Sequence, residues 1–107
     1  MNNVSMNPYL ECSKPNFWLS CLLLDESVEI TPTEICERLA EYNVEARPIW
    51  KPMHLQPVFK TNDFITAEDG IDVGVDIFNR GICLPSDIKM TTEEQDIVIE
   101  MIKSMIS

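Results

Sequence analysis

The sequence predicts an α+β domain in which a small three-stranded, largely antiparallel sheet is packed with helices. Thr31 and Thr91 each precede a glutamate by three positions, Glu34 and Glu94, the reciprocal N-capping pattern of a helix start. The run FWLSCLLL at residues 17–24 is apolar at odd and even positions alike, as in a strand covered on both faces. The order of elements is strand, helix, strand, long loop, helix, strand, helix, which suits a sheet with helices on at least one face.

Residues 1–15 carry Asn, Ser and Pro with isolated apolar positions such as Tyr9 and Leu10, and are expected to be an irregular lead-in to a domain at residues 16–107. The strand at residues 17–24 asks for more cover than one small domain supplies. In the first helix, expected over residues 32–42, Pro32 takes the first helical position, where its missing N–H is not needed, and Ile35, Leu39 and Tyr42 share a face. Asn43 can end that helix in a left-handed cap. Val44, Ala46, Pro48 and Trp50 then alternate with Glu45, Arg47 and Ile49 as a second strand, which Pro48 places at an edge or at its end.

Residues 51–62 hold Pro52 and Pro57, have no sustained period, and read as an ordered loop with room for one helical turn. The next helix is expected over residues 69–80. Thr66 and Asp69 open it and Gly81 closes it, with Ile71, Val75 and Phe78 on one face and Gly70 and Gly74 weakening its start. A short buried strand at residues 82–84 ends at Pro85. The last helix follows Thr91 and carries Ile97, Val98, Met101, Ile102 and Met105 as its apolar stripe.

A chain of 107 residues buries roughly 60–70% of its unfolded surface, enough for one modest core and too little for a large two-domain enzyme. Eight Lys+Arg against eighteen Asp+Glu give a net charge of −10, so neither nucleic acid nor an anionic membrane is an expected partner. No apolar run approaches the roughly 20 residues that span a bilayer, and no basic segment precedes an apolar one at the start. The chain is expected to be soluble and cytoplasmic. Cys12, Cys21, Cys36 and Cys83 form no CxxC pair, and the last three lie in apolar segments, so buried reduced thiols are expected. With a single histidine, a zinc site would need scattered ligands, and no metal is expected.

Three segments are more specific: Asn16-Phe17-Trp18-Leu19; Glu45-Ala46-Arg47-Pro48-Ile49-Trp50-Lys51-Pro52-Met53-His54-Leu55-Gln56-Pro57; and Arg80-Gly81-Ile82-Cys83-Leu84-Pro85-Ser86, which runs on to the Thr91 helix start. Together they resemble the C-terminal small domain of the DegT/DnrJ/StrS sugar aminotransferases, over about residues 16–106. The resemblance implies the fold-type I small-domain architecture and, in the intact enzyme, pyridoxal phosphate (PLP), a keto-sugar nucleotide substrate, an amino-acid donor such as glutamate, and a homodimer with sites at the subunit interface. The WKPMHLQP segment is most like members that make 4-amino-4,6-dideoxy sugars on UDP for surface polysaccharides and protein glycans. The parts that hold PLP belong in that family to a preceding large domain. The resemblance therefore implies a fragment or separately encoded piece, inactive alone, with no catalytic or cofactor-binding residue of its own.

What remains is a set of candidate substrate-binding residues. His54, between two prolines, either bonds a nearby carbonyl or presents its ring to the sugar nucleotide. Arg47 has a planar fork suited to a diphosphate or sugar hydroxyls, or is paired internally. Trp50 offers a face for a sugar or uracil ring, or belongs to the core. Lys51 and Gln56 are further candidates whose plain alternative is solvation. Ser86 reads as a cap or turn residue. A second expectation, from the doubly apolar strand alone, is an autonomous module that associates with itself or a partner through an exposed sheet face.

Overall fold

A computed structural model describes residues 3–107. Strands β1 (Val4–Met6), β2 (Ser20–Leu24), β3 (Arg47–Pro48) and β4 (Gly81–Leu84) and helices α1 (Pro32–Ala40), α2 (Val73–Arg80) and α3 (Thr92–Ile106) follow one another as β1-β2-α1-β3-α2-β4-α3. The strands form one antiparallel sheet in the order β1-β2-β4-β3. The fold is α+β with an antiparallel sheet, which among the described residues has four strands where three were expected.

The additional strand lies in the expected irregular lead-in. Val4, Ser5 and Met6 pair with Leu24, Leu23 and Leu22. Asn7, at φ 42°, extends the pairing: its Oδ1 accepts from the Cys21 N–H at 2.7 Å and its own N–H donates to the Cys21 carbonyl at 2.8 Å. A three-residue strand is too short for alternation to register in a sequence. Its conformation comes from the ladder that β2 offers it.

The run at residues 17–24 is strand only from Ser20. Before it, Asn16 Oδ1 accepts from the Trp18 N–H at 3.1 Å and Phe17 sits at φ 51°, so the chain turns sharply into the sheet. Leu22 and Leu24 point into the core, opposite Ile82 of β4 in the case of Leu22. Cys21 and Leu23 point to the other face.

The α1 capping box forms as expected, with Glu34 N–H donating to Thr31 Oγ1 at 3.3 Å and Thr31 N–H donating to Glu34 Oε2 at 2.8 Å. Ile35 and Leu39 are fully buried, whereas Tyr42 lies beyond the helix end and is exposed. Asn43 is left-handed at φ 58°, and the following Val44 N–H returns to the Leu39 carbonyl at 3.0 Å. The second strand shrinks from the expected seven residues to two because Pro48 has no N–H to continue the ladder.

Helix α2 starts four residues later than expected. Gly70 takes φ 80° in a turn, and Asp72 caps the helix by accepting from the Val75 N–H at 3.0 Å; neither Thr66 nor Asp69 does so. Ile71 therefore lies outside the helix, and exposed. Helix α3 repeats the capping box with Thr91 and Glu94 and buries Val98, Ile102 and Ile106, while Ile97 faces outward. The core thus sits between one sheet face and helices α1 and α3.

Two side chains tie strand ends together. Arg80 Nη1 donates to the Leu24 carbonyl at 2.5 Å while its Nε bonds Asp76 at 2.8 Å. Ser86 Oγ accepts from the Ser20 N–H at 2.8 Å and donates to the Leu84 carbonyl at 3.0 Å, a tie between β2 and the end of β4 where a cap or turn residue was expected. All four cysteines are free; Cys12 is exposed and the other three are half-buried, less enclosed than expected.

Candidate functional site

The sheet face turned away from the core carries an apolar groove of about 470 Å³. Its floor is Cys21 and Leu23 of β2, one side is Ile77 of α2 with Ile49, and its rim is Tyr9, Phe17, Trp18 and Trp50. Tyr9 and Phe17 meet edge to face, with centroids 5.7 Å apart, which ties the lead-in to the turn at Asn16. Trp18 and Trp50 are 72% and 64% exposed, so neither indole is used by the chain's own core.

Gly81 lets this face form. A Cβ there would press on the Ile49 side chain and stand 2.5 Å from the Ile77 carbonyl oxygen, so only glycine lets α2 turn straight into β4 beneath Ile49.

A neighbouring groove of about 480 Å³ shares Trp18 and Trp50 and adds Arg47, Glu45 and Cys83. Arg47 is 77% exposed and donates from Nε at 2.8 Å and from Nη2 at 2.5 Å to one oxygen of Glu45, which holds the guanidinium charged. The fork is thus occupied on one edge by a surface ion pair that water and salt weaken readily.

The structure brings Arg47 and Trp50 to one groove, and places the other three candidates in the loop beyond. Residues 51–62 form two short 3₁₀ turns, Met53–Leu55 and Pro57–Phe59, where one turn had room. Lys51 is exposed, and its carbonyl accepts from Gln56 Nε2 at 3.4 Å; the same amide lies 3.5 Å from Met53 Sδ. His54 is the best-anchored residue of the set. Its Nε2 is 2.7 Å from Asp72 Oδ2, its ring stacks on Phe64 with centroids 3.6 Å apart and planes 13° from parallel, and its side chain is 20% exposed. Its partner is a carboxylate eighteen residues on, where a nearby carbonyl was the plain alternative.

Sequence reasoning passed over Trp18, Ile77, Phe64 and Asp72. Trp18 was counted into the apolar strand. Asp72 competes with Asp69 three residues earlier as a cap, and only Gly70 leaving the helix decides between them.

Residues 2–103 match the DegT/DnrJ/EryC1/StrS aminotransferase family model. The chain belongs to this family. It is 45% identical over 102 residues to EpsN of Bacillus subtilis strain 168, named as a pyridoxal phosphate-dependent aminotransferase; the match covers 95% of this chain and 26% of EpsN. It is 31% identical over 86 residues to the GDP-perosamine synthase of Caulobacter vibrioides, covering 78% of this chain and 21% of that protein. Among solved structures, the sugar aminotransferase Spr1654 from Streptococcus pneumoniae, in its PMP form, superposes with a TM-score of 0.74 at 20% identity over 96% of this chain and 26% of its own. CalS13, a sugar aminotransferase from Micromonospora echinospora, gives 0.68 at 16% identity over 97% and 26%. The chain therefore spans about a quarter of the length of these relatives.

PLP enters with the family, and the residues here do not fit it. Lys14, Lys51, Lys60 and Lys89 are exposed, Lys103 is paired with Glu100 at 2.6 Å, and no lysine lines either groove. A PLP lysine needs an enclosed position beside a phosphate cup and a carboxylate for the ring nitrogen. No described helix is long and apolar enough to cross a membrane.

Proposed function

We propose that this chain acts as the C-terminal small-domain part of a PLP-dependent aminotransferase that aminates keto-sugar nucleotides for surface polysaccharide or glycoprotein glycan synthesis. The large PLP-holding part lies elsewhere, and the chain alone carries out no chemical step. The groove bounded by Trp18, Trp50, Phe17 and Ile77 carries this reading, because it leaves two tryptophans uncovered in a chain a quarter the length of its relatives. Covering that groove with the large part removes the exposed indoles from water, a gain of roughly 25 cal/mol for each Å² of apolar surface buried. Arg47, Trp50, Lys51, His54 and Gln56 then supply the edge of the substrate site, with the amino-acid donor and PLP held by the other part.

Separate titrations of the purified chain with UDP-glucose and with PLP test this, followed by NMR and absorbance. The expected result is no PLP absorbance co-eluting with the chain and no transamination, with Arg47, Trp50 or His54 signals moved by the nucleotide sugar. A chain that retains PLP through gel filtration, or transaminates alone, overturns it. The same uncovered groove supports a second reading, an autonomous module that self-associates, which a concentration-independent monomer would defeat.

A further inference from the structure

Asp72 does two jobs with one carboxylate. Oδ1 accepts from the Val75 N–H at 3.0 Å and so caps α2, while Oδ2 lies 2.7 Å from His54 Nε2. The loop is drawn tightly against the helix start here: a Cβ on Gly74 would touch Asp72 Oδ1 at 3.4 Å and Pro52 Cγ at 3.8 Å. Phe64 closes the ring's flat face at 3.6 Å.

A carboxylate only accepts hydrogen bonds, so His54 Nε2 carries the proton, and in the neutral imidazole Nδ1 is then a bare acceptor. Ring rotation that would exchange the two nitrogens is opposed by the Phe64 stack and by loss of the Asp72 bond.

We propose that Asp72 is a positioning residue that fixes the Nε2–H tautomer of the neutral His54 ring, with Nδ1 its one hydrogen-bonding atom left without a partner among the described residues, so that the neutral ring recognises a hydroxyl or amino donor on the ligand and not a phosphate oxygen. This rests on the reading of His54 as substrate-facing, which it deepens by naming the chemistry read: a sugar hydroxyl, while the cations of the candidate set, Arg47 and Lys51, suit the diphosphate.

Asp72→Ser tests it in the full chain. Serine retains a good N-cap for Val75 but is too short to reach the histidine. The His54 Nε2–H proton is expected as a resolved NMR signal in the wild type at about pH 8, and to be lost to solvent exchange in Asp72→Ser while Val75 amide protection stays within about twofold. Absence of that signal in the wild type overturns the proposal, as does its persistence in Asp72→Ser. Where Asp72→Ser unfolds, Asp72→Asn serves: with its oxygen kept on the Val75 N–H it turns an NH2 donor in place of an acceptor toward His54 Nε2, so the Nε2–H signal is expected to be lost while Val75 stays protected, and persistence of that signal overturns the proposal. For ligand chemistry, His54→Ala is expected to weaken UDP-glucose several-fold relative to UDP; equal weakening of both overturns the choice of hydroxyl. Failure of UDP-glucose to bind the wild type at all removes the substrate-facing reading and with it the hydroxyl assignment, and leaves the Asp72–His54 result standing.

Discussion

Cys21 and Cys83 face each other across β2 and β4 with their sulfurs 3.7 Å apart. Burial, and then the neighbouring thiol, push Cys83 up to about 11, and burial also raises Cys36. Both are therefore thiols at neutral pH and poor nucleophiles. At about pH 8 an alkylating reagent is expected to label exposed Cys12 first, and Cys36 and Cys83 at least tenfold more slowly until urea is added. Peptide mass mapping reads this, and uniform labelling contradicts it.

Asp76 is held below the usual carboxylate range by its hydrogen bonds to Arg80, and Glu34 by those to Thr31. A carboxylate with a depressed folded-state pKa stabilises above its unfolded value, near 4, and that contribution is lost as pH falls through the folded value. The melting temperature is thus expected to be level above about pH 5 and to drop below about pH 4. Arg80→Ala frees both Asp76 and the Leu24 carbonyl, lowers stability by about 1–3 kcal/mol at pH 7, and flattens part of that acid-side drop. Urea unfolding at pH 7 and pH 3.5 decides it; an unchanged pH profile assigns Arg80 no such role.

At the level of elements, the helix starts were legible where the side chain and its partner lie within one turn. Thr31 with Glu34 and Thr91 with Glu94 specify their caps locally, and Asn43 its left-handed stop. Thr31→Ala is expected to lower stability by about 1 kcal/mol in chemical denaturation, the ordinary worth of such a cap. What escaped was set by partners distant in the chain. β1 exists because Leu22–Leu24 present a free edge, and His54 is anchored by Asp72 across eighteen residues. Of the candidate site, Trp50 and Arg47 were legible as to place, whereas Trp18 was hidden because an apolar run does not say which residues precede the first ladder bond. Gly81→Ala is expected to cost more than 2 kcal/mol, since the new methyl meets the backbone oxygen of Ile77, which cannot step aside. A melting temperature within a degree of wild type would mean that α2 and β4 separate freely.

Over the whole molecule, a one-sided core and a net charge of −10 act in opposite directions on association. The uncovered groove favours contact between copies, and the charge resists it. Raising salt from about 20 mM to about 500 mM, which shortens the screening length severalfold, is expected to increase the sedimentation coefficient and shift tryptophan emission to the blue. Emission that does not respond leaves Trp18 and Trp50 outside the contact. Leu39→Ala, removing a fully buried side chain from the only core cluster among the described residues, is expected to cost about 2–5 kcal/mol, a large share of the stability of a domain this small.

The sheet's two margins are three and two residues long, and the shorter one ends in Pro48. Neither offers a row of free amides and carbonyls long enough to template another chain. Growth by strand addition is disfavoured at both margins among the described residues, so the groove is the surface through which copies are expected to meet, and that contact saturates when the groove is filled. Crowded solutions of this chain should therefore contain small discrete assemblies and stay free of fibrils, with no thioflavin signal even where light scattering rises.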